Sequence, residues 1–357
     1  MMDVTIKAQI DSILDAPTCY PERQRKSRAK RQEELIYWYE KYNEVCETYN
    51  FWGMDCTDSA PIDEWLDRGI FRKQRHDVNA FFYPNGSKFP IDYTVIMRDK
   101  RMFEGFAENV LGYGNKYSPS IGYIIEKQFY NKSNSNFAEL IKKYESEMLV
   151  FKQVFGCSGE TVKVVKVNNG VIESGNKVYS PVEFLDSLSI PASNWIIQEF
   201  IKQHKVMEEI NKTSVNTLRI VTFHTGNIVE SFPLIMLRYG YPGCLVDNSS
   251  LSVGVDKYGT IMKYASNKLN KSRIKCHAAG LKIPFFEEAV NLAKFMHKHI
   301  PEIFTVGWDI CITPNGPHLI EGNDGWDNGM HQSIEGCRMR KFYNEMLVKR
   351  LEYYNNQ

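Results

Sequence analysis

A strand-turn-strand segment near the C-terminal end constrains the fold more than any other part of this sequence. Residues 305–312 and 317–321 are mostly apolar and flank a Pro-Asn-Gly turn at 314–316. Proline restricts φ and glycine accepts a left-handed backbone, so this spacing predicts a β-hairpin closed by a three-residue loop.

The polar side chains of this hairpin are predicted to share one face. The three-residue loop places Thr313 opposite Pro317. Counting back along both strands brings Asp309 opposite Glu321, and because side chains alternate, Asn323 projects from the same face. Opposed carboxylates repel unless a cation lies between them, and oxygen ligands favour Mg²⁺ or Mn²⁺ over zinc. Mg²⁺ with few protein ligands completes its shell with water and phosphate, so the pattern predicts a nucleotide site. The alternative is that both carboxylates are exposed charges at the rim of an ordinary hairpin.

A short loop rich in small residues is a second candidate site. Lys152 stands on a predicted strand, which is followed by Gly156-Cys157-Ser158-Gly159-Glu160 and then by a strand over residues 161–167. Backbone N–H groups of such a loop can hold phosphate oxygens, while the lysine supplies a positive charge. Short glycine loops more often only close hairpins, and the Walker pattern GxxxxGK[ST] is absent from the sequence.

Two arginines lie in apolar strands joined by a glycine turn at residues 226–227. Pairing of the strands directly around that turn places Arg219 opposite Leu234, with Arg238 on the same face roughly 13 Å further along. Arginines in apolar strands need anionic partners. A transferring phosphoryl group or a substrate carboxylate is one candidate, and protein carboxylates are the other.

Composition sets the broad class of the protein. The chain has 357 residues, 43% of them hydrophobic and 24% charged, which suits two or three packed lobes. Its net charge of +1 offers no general attraction to nucleic acid or to anionic membranes. The sequence contains no apolar run of about 18 residues and no secretory signal, so we expect a cytoplasmic protein without a transmembrane segment. The eight cysteines form no CxxC pair, which favours reduced core thiols.

The first 95 residues have a different texture from the rest. Apolar and aromatic residues recur at helical spacing over residues 33–50, whereas the chain beyond residue 150 is rich in β patterns, with one amphipathic helix predicted over 284–300. The only strongly basic run lies at residues 23–31. We interpret it as the start of a solvated helix; docking to an acidic partner or headgroup is the alternative.

These segments together resemble the ATP-grasp superfamily, and within it the branch associated with sugar transfer. The likeness runs from about residue 99 to about residue 332, and SVNTLRIVT at 214–222 and GWDICITPNGPHLIEGN at 307–323 are its most specific parts. It implies an α+β fold in which two α+β lobes clasp ATP. The helical N-terminal region departs from the family pattern, since many relatives have a nucleotide-like α/β domain there. The implied divisions are 1–95, helical and aromatic-rich; 96–149, the first ATP-grasp lobe; 150–201, the lobe bearing the flap; and 202–357, the C-terminal lobe with the metal site.

The resemblance also implies a role for each candidate residue. By motif position, the phosphates are held by Lys100 and Lys152, below a mobile flap that contains Gly156, Ser158 and Gly159. The adenine pocket is lined by Gln198, Glu199 and Ile201. Arg219 steadies the phosphoryl group or the intermediate, Arg238 is the second catalytic arginine, and Mg²⁺ or Mn²⁺ is carried by Asp309, Glu321 and Asn323.

The chemistry implied by the family is the attack of a carboxylate on the γ-phosphate of ATP, followed by capture of the acyl phosphate by an amine. The expected partners are therefore a small-molecule carboxylate and an amine, with a sugar-linked or surface-polysaccharide precursor indicated by the branch. Two alternatives stay open. The same groups suit a kinase or phosphotransferase acting on a small molecule or sugar, and a non-catalytic assembly protein could keep the nucleotide pocket and dock through residues 23–31.

Overall fold

The computed structural model describes residues 3–80, 88–112, 116–133, 135–156, 162–188, 194–244, 251–334 and 337–355. Within these ranges, no helix has both the length and the apolar character needed to cross a bilayer. The chain starts with a helical region that contains a short 3-10 helix, Ile62–Glu64, and the helices α1 (Val4–Asp15), α2 (Arg28–Tyr42), α3 (Arg68–Ala80), α4 (Val95–Arg98) and α5 (Lys100–Leu111).

Helix α2 confirms the predicted helical texture but lies further towards the N-terminus than predicted. Ser27 caps it by accepting a hydrogen bond from the Lys30 N–H, and the helix ends at Asn43, whose φ of 54° is left-handed. The basic run does open this helix, although it is not simply solvated. Arg25 forms an ion pair with Asp55, and the guanidinium of Arg31 is buried against the Leu14 carbonyl.

The first sheet follows and is antiparallel. In the part of the chain that is described it has seven strands in the order β2-β1-β7-β3-β4-β5-β6, with helices α6 and α7 contributing to its apolar core. These elements are β1 (Gly122–Ile125), β2 (Gln128–Tyr130), α6 (Phe137–Lys143), β3 (Met148–Gln153), β4 (Val162–Asn168), β5 (Val171–Ser174), β6 (Lys177–Tyr179), α7 (Pro181–Ser187) and β7 (Trp195–Glu199).

Strands β4 and β5 form a tight hairpin. Asn168 pairs with Val171, and the two turn residues Asn169 and Gly170 both have positive φ, as a tight hairpin turn requires. The lobe boundary placed at 149/150 stays a prediction, although it falls inside β3, whose sheet includes strands from both sides of it.

The second sheet carries most of the candidate site. Its strand order is β13-β12-β11-β10-β8-β14-β15, with β9 paired to β8, and its elements are α8 (Lys205–Ile210), β8 (Thr217–His224), β9 (Val229–Ser231), β10 (Ile235–Tyr239), β11 (Leu251–Val255), β12 (Ile261–Asn267), β13 (Ser272–Lys275), α9 (Phe286–Lys298), β14 (Thr305–Thr313) and β15 (Gly316–Asn323). Helix α9 buries Ala289, Ala293 and Met296 in the core it shares with this sheet. Two further helices, α10 (Asn328–Gln332) and α11 (Met339–Asn355), follow.

The β14–β15 hairpin reaches the predicted pairing by a different route. Thr313 pairs with Gly316, so the turn has two residues and the predicted three-residue loop is wrong. A β-bulge then leaves Ile320 as an extra residue on β15, and Asp309 pairs with Glu321 after all. Because a one-residue slip exchanges the two faces of a strand, the bulge is what brings Glu321 onto the face of Asp309.

The predicted register of the arginine strands is wrong by two residues. Arg219 pairs with Met236 and not with Leu234, because residues 232–234 leave the ladder between β9 and β10. Because the register is shifted by two residues, both arginines stay on the same face of the sheet, as predicted. Arg238 therefore stands two residues from the partner of Arg219, roughly 7 Å along the strand, and the two arginines lie closer together than predicted.

The N-terminal helical region is fastened to the segment that follows β15. Trp52 Nε1 donates to the Gly329 carbonyl over 2.9 Å. The Gln332 side chain accepts from the Leu66 N–H at 2.8 Å and donates to the Leu66 carbonyl at 2.9 Å. Since these polar groups are buried, separating the two parts would leave them unsatisfied. The helical region thus forms a fixed wall beside the second sheet.

Candidate functional site

A cavity of about 800 Å³ lies between the two sheets and reaches the N-terminal helical region. Among the described residues that line it, eight carry lysine or arginine side chains and four carry carboxylates, a local excess of four positive charges in a chain whose net charge is +1. The basic residues are Arg68, Arg72, Lys100, Lys152, Arg219, Arg238, Lys268 and Lys271, and the acidic residues are Glu199, Asp309, Glu321 and Asp327. Such a cavity favours a polyanionic ligand.

Asp309 is the centre of the charged network on the second sheet. Arg219, directly opposite it on β8, donates through Nε to Oδ1 at 2.6 Å and through Nη2 to Oδ2 at 2.8 Å. Arg238 Nη1 lies 3.3 Å from Oδ2. Burial would raise the pKa of Asp309, but Arg219 and then Arg238 outweigh it, and the net pKa is lowered. The arginines thus have a protein carboxylate as partner, and it is the carboxylate predicted to bind metal.

Glu321 and Asn323 converge on the same point from β15. The Asn323 amide lies 3.2 Å from Glu321 Oε1 and 3.4 Å from Asp309 Oδ2. A half-turn of the amide would present its oxygen instead of its nitrogen, giving three oxygen donors on one face. Among the described residues no group of three His, Cys, Asp or Glu side chains could hold a metal. Two carboxylates and an amide suit Mg²⁺, which takes few protein ligands when phosphate oxygens complete its shell.

Glycine at position 307 allows Arg219 to reach Asp309. A Cβ atom built at Gly307 would lie 2.9 Å from Cβ of Trp326 and 3.1 Å from Cδ of Arg219. Both distances are shorter than side-chain contacts normally allow, and the first involves an atom fixed to the backbone. A larger residue would therefore push the arginine stem or the Trp326 segment out of position.

Two lysines face this network from the other side of the cavity. Lys100 begins helix α5 and donates through Nζ to the Gly156 carbonyl at 2.8 Å. Lys152 is half-buried on β3, and burial, reinforced by Lys100, lowers its pKa against the opposing effect of Glu321. A lysine that loses hydration without full compensation is stabilised by an anionic ligand. The predicted flap residues Ser158 and Gly159 lie outside the described residues.

A family model described as sugar-transfer associated ATP-grasp matches residues 89–345, more than half of the chain. The chain belongs to this ATP-grasp family. The match confirms the resemblance, and the two sheets together with the N-terminal helices confirm the predicted α+β fold. No curated protein matches the chain.

Solved structures similar to this ATP-grasp chain are distant. A D-alanine–D-alanine ligase from Bacillus anthracis shares 16% identity with a TM-score of 0.40, over 72% of this chain and 67% of that one. A D-cycloserine synthetase shares 13% identity with a TM-score of 0.39, over 73% of each chain. An N5-carboxyaminoimidazole ribonucleotide synthetase, solved as an ADP complex, shares 12% identity with a TM-score of 0.41, and the match covers 66% of this chain and 47% of that one.

The predicted adenine segment lies at the end of β7, where the ATP-grasp chain passes from the first sheet towards the second. Gln198 is buried and its amide donates to the Ser118 carbonyl at 2.8 Å, whereas Glu199 Oε1 accepts from the Tyr144 hydroxyl at 2.8 Å. Gln198, Glu199 and Ile201 all line the cavity. Their roles towards a nucleotide remain predictions, as do those of the lysines, the arginines and the three oxygen donors.

Sequence reasoning missed the contribution of the N-terminal helical region to the cavity. Arg68 and Arg72 on α3 both reach it and share one partner, Asp327. Arg68 Nε lies 3.2 Å from Oδ1 and Arg72 Nε lies 2.7 Å from Oδ2 of this carboxylate. Arginines four residues apart on a helix share a face, so the spacing carried a signal, but nothing local indicated what that face meets.

Proposed function

We propose that this ATP-grasp chain is a Mg²⁺- and ATP-dependent ligase that joins a carboxylate to an amine through an acyl phosphate. The proposal is carried by one observation: four cationic side chains and three convergent oxygen-bearing side chains face a single cavity between two sheets. The family description, sugar-transfer associated, supports a sugar-linked or surface-polysaccharide precursor as the acceptor.

The two walls of the cavity have complementary tasks in this proposal. Lys100 and Lys152 bind the phosphates of ATP from the first-sheet side. Asp309, Glu321 and Asn323 would hold Mg²⁺, which supplies charge neutralisation on the phosphate oxygens when bound. Phosphoryl transfer needs positioning and charge stabilisation more than covalent help from the protein, and these are the groups that the cavity provides.

Arg219 is the residue best placed to act during the transfer itself. It uses Nε and Nη2 to bind Asp309, which leaves Nη1 to donate towards the cavity. In the proposed reaction a carboxylate oxygen of the substrate attacks the γ-phosphorus, and the bond from that phosphorus to the ADP oxygen breaks. The amine nitrogen then attacks the acyl carbon, and inorganic phosphate leaves. Arg219 and Arg238 stabilise the negative charge on the transferring group.

Mass spectrometry of reaction products tests the proposal. The full chain is incubated with Mg-ATP and a mixture of small carboxylic acids, sugar acids and amines, with the Glu321→Gln variant as a matched control. The expected products are ADP, phosphate and an amide, all dependent on Glu321. A stable phosphate ester on a hydroxyl group identifies a kinase instead, and unchanged ATP with every acid and amine supports the non-catalytic alternative.

A further inference from the structure

The proposed ligase reaction leaves half of the basic residues of the cavity unused. Arg68 and Arg72 come from α3, while Lys268 and Lys271 come from the turn between β12 and β13. Together with Asp327 they are called the second basic cluster below. It carries four positive charges against the Asp327 carboxylate, which both arginines share, and against the exposed Glu47, which lies 3.6 Å from Lys271. Its basic members come from two segments far apart in the sequence, so the charges are brought together by the fold and not by a local basic run.

The arginines of this cluster are held in position while keeping donors for a ligand. Asp327 fixes both guanidinium groups and also accepts a hydrogen bond from the Gly329 N–H at 2.7 Å. The Arg68 and Arg72 side chains are nevertheless 40% and 53% exposed. Each guanidinium has five N–H donors and spends only part of them on Asp327. Guanidinium groups that are held in place and still accessible suit phosphate, which has several acceptor oxygens.

The second basic cluster is next to the proposed reaction site. Trp326, which like the stem of Arg219 lies next to Gly307, directly precedes Asp327 in the chain. Phe51 and Met330 add apolar surface to the same cavity. One small molecule could therefore place a reacting group near Arg219, an apolar portion against this surface, and an anionic group on Arg68 and Arg72.

We infer that the second basic cluster binds a phosphate ester on the acid or amine substrate, so that the ligase acts on a phosphorylated small molecule. This inference rests on the proposed function for the identity of the reaction, but the phosphate subsite can be measured without turnover. An unphosphorylated substrate would leave four cations facing the cavity without a ligand.

Isothermal titration calorimetry of the full chain saturated with Mg²⁺ and the non-hydrolysable nucleotide AMP-PNP tests the subsite, because the nucleotide fills the other phosphate positions. Orthophosphate and glycerol 3-phosphate are the probes, and both are expected to bind. The double variant Arg68→Gln, Arg72→Gln should weaken both by at least about tenfold, since charge-assisted hydrogen bonds are lost. The exposed Lys268→Gln variant, which leaves the Asp327 pairs intact, should weaken them by about threefold. AMP-PNP affinity should stay within about twofold of the unmodified chain.

Arg338→Gln is the matched control, because Arg338 pairs with Glu64 at 3.2 Å and does not belong to the described residues that line the cavity. Failure of both probes to bind, or equal binding by the double variant, overturns the inference and leaves the ligase proposal standing. Binding of orthophosphate without glycerol 3-phosphate also overturns it, since the site would then hold free phosphate.

Failure of AMP-PNP to bind is a separate outcome that sinks the proposed function. The probes are then titrated without nucleotide. Loss of binding in the Arg68→Gln, Arg72→Gln variant, together with retention in Lys152→Gln, still supports the subsite, and the reverse pattern removes it.

Discussion

The charged side chains on the two walls of the cavity have different partners. On the second sheet, Asp309 joins Arg219 and Arg238 in a network whose side chains are only 6%, 12% and 17% exposed. On the first-sheet side, Lys100 donates to a backbone carbonyl and Lys152 loses hydration without a carboxylate in direct contact among the described residues. On the second-sheet wall, the buried carboxylate of Asp309 has protein partners of opposite charge. On the first-sheet wall, an anionic ligand would supply the partner that Lys152 needs.

This contrast predicts which substitutions affect stability and which affect binding. A network of buried ion pairs is costly to break, because the remaining partners stay buried and uncompensated. A poorly compensated lysine already opposes folding, and its removal should not destabilise the chain. Changes in the network of Asp309, Arg219 and Arg238 should therefore cost both stability and activity, whereas changes in the first-sheet wall should cost nucleotide affinity without a loss of stability.

Asp309→Asn is expected to have the largest effect. It removes the carboxylate that Arg219 and Arg238 share and, with it, one proposed metal ligand. We expect a loss of about 3 kcal/mol in the free energy of unfolding, measured with urea, and a loss of ligase turnover of roughly a thousandfold or more.

The matched comparison is Glu321→Gln on the paired strand. Glu321 is only partly buried, and its side chain meets the Asn323 amide and the Asp309 carboxylate, so the free energy of unfolding should change by less than about 1 kcal/mol while turnover falls as steeply. Equal destabilisation by both variants would contradict the view that Asp309 has a structural role that Glu321 lacks.

Lys152→Met tests the first-sheet wall. Burial lowers the pKa of Lys152 in the folded chain, so its charge opposes folding at neutral pH, and a methionine of similar length should raise the melting temperature slightly. The affinity for Mg-ATP should fall by roughly 10–100-fold, because charge-assisted contacts to phosphate are lost. Differential scanning fluorimetry and nucleotide titration measure the two effects.

Lys166→Met is the control for this prediction. Lys166 is exposed on the neighbouring strand β4, opposite Met148, and should alter neither property appreciably. A drop in melting temperature for Lys152→Met, without a change in nucleotide affinity, would show that the lysine has a structural role and that the two walls are alike.

Sequence patterns were sufficient for the elements and for the face on which the site lies. Alternation along β14 and β15 brought Asp309, Glu321 and Asn323 together, and the family resemblance supplied the fold. The length of the turn and the position of the β-bulge could not be predicted from the sequence. The turn of the hairpin is one residue shorter than its Pro-Asn-Gly sequence suggested, and only the bulge at Ile320 restored the pairing. The two errors cancelled because both are shifts of one residue.

Contacts between elements distant in the chain could not be predicted at all. The pairing of Arg219 with Asp309 depends on β14 lying next to β8, which no local pattern specifies. The position of α3 beside the cavity likewise depends on buried hydrogen bonds between Leu66 and Gln332, 266 residues apart. Local sequence determines which side chains are available, while sheet order and packing between lobes determine which of them meet.

The histidines predict a further difference between the two sheets, in how the stability of each depends on pH. This effect should be smaller than those of the substitutions above. The chain has no histidine between residues 77 and 203, so the first sheet has none. His224 and His297, on or against the second sheet, and His331 beyond it are buried. Burial lowers their pKa values to about 4, 3 and 4, with Arg350 adding to the effect on His224 and Arg219 to that on His331.

His297 shows why the neutral form is required. Its Nε2 lies 2.9 Å from the Ile303 carbonyl, to which it can only donate. Its Nδ1, which carries no proton in this tautomer, accepts from the Thr222 hydroxyl at 2.6 Å, and that hydroxyl accepts in turn from Trp308 Nε1 at 2.7 Å. Protonation of Nδ1 would reverse the first of these hydrogen bonds and take the acceptor away from the Thr222 hydroxyl proton.

Acid should therefore loosen the second sheet before the first. Unfolded histidines titrate near pH 6.5, above these folded values, so between about pH 6.5 and 5 the unfolded state binds more protons and stability falls as pH falls, by up to about 1.4 kcal/mol per pH unit for each histidine. Native-state hydrogen exchange, corrected for intrinsic rates, should show protection lost in β8 and β14 while β3 and β7 retain it. His331→Asn should reduce the slope, and the exposed His299→Asn should leave it unchanged. Earlier loss of protection in β3 would mean that the first sheet, despite its lack of histidines, is the more acid-sensitive half.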